Sequence, residues 1–240
     1  MTQSAGLSQQ PTALMGTEAL QSTAHAMGVP VSVDQAKALL EYAQLLLQWN
    51  RVYNLTAIKN PQEVITHHLL DSLSVIPALQ RQLAVQEACH ATEPNQPIDV
   101  LDVGSGGGLP GVVLTILCPR LRVTCVDTVA KKAAFVQQVA AQLPAAVLGG
   151  RLKAVHGRVE NLQTTYDVIA SRAFASLGDF TRLSRQSLKT NGLWMAMKGL
   201  HPQPEMDALP GWVQVFHVEQ LRVIGLDAQR CVAWMREVKT

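Results

Sequence analysis

Residues 98–111, IDVLDVGSGGGLPG, constrain the fold more than any other stretch of the chain. A strand-length apolar run is followed at once by glycines, where backbone can take positive φ and approach a ligand closely. The rhythm set there continues downstream. IDVLDV precedes GVVLTILC, LRVTCVD precedes KKAAFVQQVAAQL, and LKAVHG precedes a short connector. YDVIASRA then precedes LGDFTRLSRQSL, and GLWMAMKG follows. Strands alternating with helix-length segments predict an α/β fold with a parallel, doubly wound sheet. The tail differs. WVQVFHVEQLRVIG and QRCVAWMREV are two β-like runs around Leu226–Gln229, which predicts a terminal antiparallel hairpin.

Upstream the period changes to that of helices. Ser32 or Asp34 opens a pattern with Ala38, Leu39, Tyr42, Leu45, Leu46 and Trp49 at spacings of three and four. Residues 50–56, NRVYNLT, break it, and Asn54 is read as capping the turn. Pro61 opens a second helix through Val64, Ile65, Leu69, Leu73 and Ile76, expected to end at Pro77-Ala78 or one turn later. The chain therefore divides into an extension at 1–28, a flexible arm or weak helix, and a small N-terminal helical region at 29–85. A polar linker at 86–97 leads to the α/β domain at 98–240.

Composition narrows the class. With 240 residues, 48% of them hydrophobic and 16% charged, the chain is globular and can bury a sizeable core. A net charge of +2 permits a polyanionic partner without arguing for one. The cysteines Cys89, Cys118, Cys125 and Cys231 show no CxxC spacing, so neither a metal site nor a disulfide framework is expected. There is no secretory signal pattern and no apolar window long enough for a membrane span, so a cytoplasmic, soluble protein with no membrane partner is expected.

The glycine loop fits several ligands unequally. A phosphate-binding GxxxxGK[ST] loop is excluded, because Val112 and Val113 follow Gly111. A dinucleotide fingerprint fits Gly106, Gly108 and Gly111, with Asp127 placed 19 residues past Gly108 for a ribose. That register leaves Asp102 and Gly104 idle. The alternative, Asp102-x-Gly104-x-Gly106-x-Gly108, uses both and is the arrangement of class I methyltransferases, which bind S-adenosyl-L-methionine. In it Asp102 meets the ligand's ammonium, directly or through loop amides, Asp127 accepts from the ribose hydroxyls, and Leu109-Pro110 starts the next helix. Asp127 serves both readings, so Asp102 separates them. An NAD-dependent oxidoreductase stays open as the weaker alternative.

Several separated motifs extend this reading: WNRVYNLT from Trp49, HLLDS from His68, DVGSGGGLPG from Asp102, RVE from Arg158, and SRAFAS from Ser171 with Lys198-Gly199 beyond it. In this order, and from about Val33 to the C-terminus, the chain resembles the RsmG family, also called glucose-inhibited division protein B. These are bacterial 16S ribosomal RNA methyltransferases that modify guanosine at N7. The resemblance implies a class I methyltransferase (Rossmann-like) fold and S-adenosyl-L-methionine as cofactor. It implies 16S rRNA or the small ribosomal subunit as partner, with the target in the helix 18 loop of the decoding region, and a monomeric enzyme. It places the cofactor on Gly104, Leu109, Val159, Glu160 and Arg172, with Val159 and Glu160 beside the adenine, and the loop reading adds Gly106 and Asp127. It sets Arg172 toward the substrate and favours Lys198 for the RNA; Arg51 and His68 are candidates as phosphate-facing groups, and no metal is expected. Lys59, His67, Lys131 and Lys132 are further candidates for phosphate contacts. A methyltransferase acting on another RNA or a small molecule remains the alternative. The loop Gly104-Ser-Gly-Gly-Gly108 and the long segments 1–28 and 86–97 depart from the family pattern.

Guanine N7 carries a free lone pair, so no general base is needed and none is assigned. A cation beside N7 would oppose the positive charge arriving there. Arg172 is accordingly expected to position phosphate or the guanine O6 edge.

Overall fold

The computed structural model describes residues 14–90, 96–174 and 176–238. Helix α1 (Thr17–Ala26) is short and weakly patterned, yet Leu20 and Ala24 are fully buried. The part of the 1–28 extension that is described is thus a docked helix, held by two small apolar anchors rather than by a long amphipathic face; residues 1–13 lie outside the described residues. Helix α2 (Val33–Tyr53) begins at a capping box, in which the Ser32 hydroxyl accepts from the Gln35 amide and the Gln35 side chain accepts from Ser32 N–H. Its Ala38, Leu39, Tyr42 and Leu46 are buried, as the periodicity requires, and Asn54 ends it in the left-handed region at φ 48°.

Asn60 caps α3 (Pro61–Val64), which runs into a π-helical segment, Ile65–Leu70, then α4 (Asp71–Ser74) and α5 (Ile76–His90). The expected stop near Pro77 is therefore corrected. Pro77 falls in the first turn of α5, where its missing N–H breaks no helical bond, and Leu79 N–H reaches Val75 carbonyl at 2.9 Å. The polar stretch read as a linker from 86 is helical as far as His90, and 91–95 lie outside the described residues.

The sheet has seven strands: β1 (Ile98–Val103), β2 (Leu121–Asp127), β3 (Leu152–His156), β4 (Tyr166–Arg172), β5 (Leu188–Lys198), β6 (Val213–Gln220) and β7 (Cys231–Glu237). Their order is β3-β2-β1-β4-β5-β7-β6. Strands β1 to β5 are parallel, and β7 inserts antiparallel between β5 and β6. The expected doubly wound sheet and terminal hairpin are both present. Helices α6 (Gly111–Leu117), α7 (Ala130–Gln142), α8 (Ala145–Leu148), α9 (Leu177–Ser184) and α10 (Gln203–Asp207) connect the strands.

Alternation along the strands feeds two cores. On β5, Leu193, Met195 and Met197 join the core that α2, α6 and α7 cover, while Trp194 and Ala196 join the one under α9. Leu20, Leu39, Leu46 and Leu73 belong to the first of these cores, so the N-terminal helices and the sheet share one apolar interior. Removing Leu20's buried side chain should cost about 2–5 kcal/mol. Leu20→Ala is expected to lower the urea midpoint accordingly; a variant as stable as the parent would mean that α1 is not docked in solution.

Candidate active site

A doubly wound sheet opens a crevice where the strand order reverses, outside the strands' carboxyl ends. Here the reversal lies between β1 and β4. Asp102 is the penultimate residue of β1, and Asp127, Arg172 and Lys198 end β2, β4 and β5. Because β7 is antiparallel, its start lies at the same edge: Cys231 pairs with Lys198, which brings Arg230 there too.

The loop after β1 takes positive φ at Gly104 (66°), Gly106 (58°) and Gly108 (86°), but not at Gly111. These three are the glycines of the register that starts from Asp102. Gly111 serves close packing instead, since a Cβ there would lie 2.5 Å from Cys125 Sγ and 2.8 Å from Asp102 Oδ2.

Each side chain that fixes the loop comes from a different element. Asp102 is fully buried, and its Oδ2 accepts from Gly111 N–H at 2.8 Å. That bond ties β1 to the first amide of α6. Burial pushes its carboxyl up to about 7, with Gly111 N–H and the Arg172 charge opposing the rise. Asp127 accepts from Gly106 N–H at 2.9 Å and from Val129 N–H at 2.8 Å. Each carboxylate oxygen retains a further lone pair for an incoming hydroxyl. The third anchor was missed in the sequence: Tyr42 of α2 donates to Gly107 carbonyl at 2.6 Å. Its place on the apolar face made it look like ordinary core. Below it Leu46 fills the space a Gly107 side chain would need, 2.9 Å from that Cβ position.

A cavity of about 560 Å³ opens above the loop, within the usual range for ligand sites. Gly104, Gly106, Leu109, His68, Arg172 and Lys198 of the expected site residues line it, together with Thr56, Asp71, Lys132 and Arg230. Asp127 is buried and does not line it, although its carboxylate holds the loop at Gly106 N–H. Val159 is buried in a 3₁₀ turn after β3, and Glu160 beside it is half-buried; neither lines this cavity. Arg51 is exposed in the last turn of α2 and also lies outside it.

The cations differ in how far they are already engaged. Lys198 Nζ contacts both Glu205 oxygens, at 2.9 and 2.8 Å, so its charge is balanced within the protein. Arg172 donates to His67 carbonyl at 2.9 Å and to Asp71 Oδ2 at 3.0 Å. His68 has Nε2 2.9 Å from the Thr56 hydroxyl and Nδ1 3.4 Å from an Arg172 nitrogen. Burial, then the Arg172 charge, lowers its pKa to about 4, so the imidazole is neutral at physiological pH. Among the described residues no three His, Cys, Asp or Glu side chains cluster as metal ligands, and no helix is long and apolar enough to cross a membrane.

Two buried groups therefore tie stability to pH with opposite signs. Between about 4 and 7 the folded protein keeps a proton on Asp102 that the unfolded chain releases, so this contribution falls as pH rises. Between 6.5 and about 4 the unfolded chain protonates His68 and the folded protein does not, so that contribution falls as pH drops. Asp102→Asn removes the first effect and keeps the second. Its unfolding free energy relative to the parent should climb as pH is raised from about 4 to 7, on the order of 4 kcal/mol in total, as read from urea midpoints at each pH. A difference that is constant over this range would show that Asp102 does not titrate as a buried acid.

The model of the family GidB, described as rRNA small subunit methyltransferase G, matches residues 35–233 of this chain. A Ribosomal RNA small subunit methyltransferase G from Acidovorax sp. is 54% identical over 220 residues, 92% of this chain and 95% of that protein. Its counterpart from Albidiferax ferrireducens is 55% identical over 203 residues, 85% of this chain and 89% of that one. A solved SAM dependent methyltransferase from Aquifex aeolicus aligns with a TM-score of 0.49 at 13% identity, covering 72% of this chain and 92% of that one.

Proposed function

The chain belongs to the GidB family of ribosomal RNA small subunit methyltransferases, and from that premise we propose that it transfers the methyl group of S-adenosyl-L-methionine to N7 of a guanosine in 16S rRNA. The observation that carries this reading is the convergence, in one cavity, of the glycine loop with Arg172, Arg230 and Lys132. A cofactor cradle and an anion-binding wall face each other there.

The residues present fit the cofactor. Gly104 and Gly106 both line the cavity; nothing lies within 4 Å of where a Gly106 Cβ would be, and the Phe174 ring lies 3.6 Å from that of Gly104. Gly104, Gly106 and Leu109 would hold the aminoacyl part, Asp127 the ribose hydroxyls, and Val159 and Glu160 the adenine. Arg172 borders both ligands. When bound, the cofactor supplies an electrophilic methyl on a sulfonium, and the protein's share is alignment. Arg172 is held by Asp71 and His67 at a fixed place in the cavity wall, and with Lys132 it offers N–H donors to RNA phosphate. Lys198, His68 and Arg51 complete the RNA-facing set, with His68 contributing an uncharged hydrogen-bonding edge. None of these groups removes a proton, and N7 requires none. The enzyme acts as a cytoplasmic monomer on small-subunit particles. Its modest net charge of +2 leaves shape to supply part of the affinity.

Labelled cofactor incubated with small-subunit particles lacking the modification should leave one methyl group, mapping to a guanosine N7. Label on another atom or molecule, or comparable rates on a short free oligonucleotide, would overturn the substrate assignment. The turnover number should be flat from about pH 8 to 9, above the range in which Asp102 titrates, because no group is placed to abstract a proton. Arg172→Ala should lower kcat/KM on the order of 100-fold through weaker ligand binding. Loss of turnover with both affinities unchanged would contradict positioning by binding.

A further inference from the structure

The HLLDS motif contains a carboxylate to which neither the cofactor nor the RNA reading gives a role. Asp71 is only 4% exposed. Its Oδ2 accepts from Arg172 at 3.0 Å and its Oδ1 from Arg230 Nε at 2.9 Å. One side chain thus ties α4 of the N-terminal region to the end of β4 and to the start of β7, elements more than 100 residues from it in sequence. All three side chains line the cavity. His67, in the preceding π-helical segment, and Asp71, four residues on, both line the cavity.

Two guanidiniums drawn to one carboxylate repel each other once it is neutral, and each then loses its fixed orientation. With it, each still has donors in reserve. Arg172 spends bonds on Asp71, the His67 carbonyl and the His68 ring, and Arg230 on Asp71 and the Gln229 carbonyl at 2.8 Å. A guanidinium carries five N–H groups, so both keep donors that meet no acceptor among the described residues. The cluster of two cations and one anion holds a net positive charge. Planar forks held at a fixed separation match phosphate oxygens better than a flexible point charge does.

We infer that Asp71 is a positioning residue for the RNA substrate: it holds Arg172 and Arg230 side by side so that their remaining N–H donors grip backbone phosphate at the cavity. This rests on the reading in which Arg172 faces the RNA. A bond to buried charges could instead serve only to hold the three elements together, although buried ion pairs are weak contributors to net stability. The two roles part in kinetics. A grip on phosphate acts on KM for the particle and on its salt dependence. A structural tie acts equally on everything the fold supports.

The test uses the full chain, unmodified small-subunit particles and labelled S-adenosyl-L-methionine, with S-adenosylhomocysteine affinity measured by calorimetry. Asp71→Asn should raise KM for particles about tenfold or more, leave kcat within about threefold and leave the S-adenosylhomocysteine Kd within about threefold. The log–log slope of KM against salt should become shallower by roughly one for each phosphate that the arginines no longer grip. Asp71→Asn combined with Arg230→Gln should cost less than the product of the two single changes, because both act through the same grip. Unchanged KM and salt slope, equal loss of cofactor and particle affinity, or multiplicative effects would each overturn the inference. If Asp71→Asn does not fold, Asp71→Glu moves the charge by one methylene and carries the same test. Arg172→Ala run in parallel separates the two layers. If it leaves particle KM and salt slope untouched, the RNA-facing reading of Arg172 is what fails. If it changes them and the Asp71 variants do not, the inference about Asp71 fails alone.

Discussion

The loop after β1 must leave its backbone bare toward a ligand, so everything that holds it has to come from behind. Three side chains do this by bonding backbone rather than side chain: Asp102 at Gly111, Asp127 at Gly106 and Tyr42 at Gly107. Each comes from a different element, and each position rejects a side chain or requires a positive φ somewhere nearby. The tight approach at Gly111 makes α6 pack onto β1 and β2, and Leu46 under Gly107 makes α2 the floor of the loop. The N-terminal helices are therefore part of the ligand site. Without Tyr42 and Leu46, the loop would lack one of its walls.

Much of this was legible in the sequence, and the reasons are local. Alternating apolar runs forced the parallel sheet, and the change of rhythm after Lys198 marked the antiparallel pair, because both follow from how strands bury their faces. Ser32 or Asp34 was the expected helix start, and Ser32 is the cap, through short-range bonds with Gln35. Asp102 with Gly104, Gly106 and Gly108 picked the correct register, and the positive φ values fall on those three glycines. Proline at 77 misled because a first-turn proline and a helix-stopping proline look alike until the preceding residues are known to be helical. Leu20 and Ala24 were too few to betray a docked helix in the polar N-terminal stretch.

The site was legible in outline and illegible in its partners. Lys198 was recognisable as a residue at the cavity, but its pairing with Glu205 depends on a short helix that no spacing rule ties to β5. Tyr42 sat at a core position and carried a hydroxyl whose acceptor lay 65 residues away. Asp71 stood in the HLLDS motif, and the sequence assigned it neither a role nor a cation. Which cation could not be read, because Arg172 and Arg230 reach it only through the strand order, in which β7 runs against its neighbours and delivers its first residues to the catalytic edge.

The charge arrangement that results suits a reaction in which no proton has to leave. His68 is kept neutral by burial and by Arg172, and Lys198 is balanced by Glu205. Around the cavity this leaves Arg172, Arg230 and Lys132 set against Asp71, an excess of positive charge. Such a wall attracts phosphate but would repel a purine that is becoming cationic. The arginines therefore work best at a distance from the reacting nitrogen, gripping the backbone on either side of the target. Asp71 sets where the two arginines stand, and it belongs to the same N-terminal region whose Tyr42 braces the glycine loop. On the inferred reading one packed helical layer would hold both reactants in register, as an in-line transfer demands.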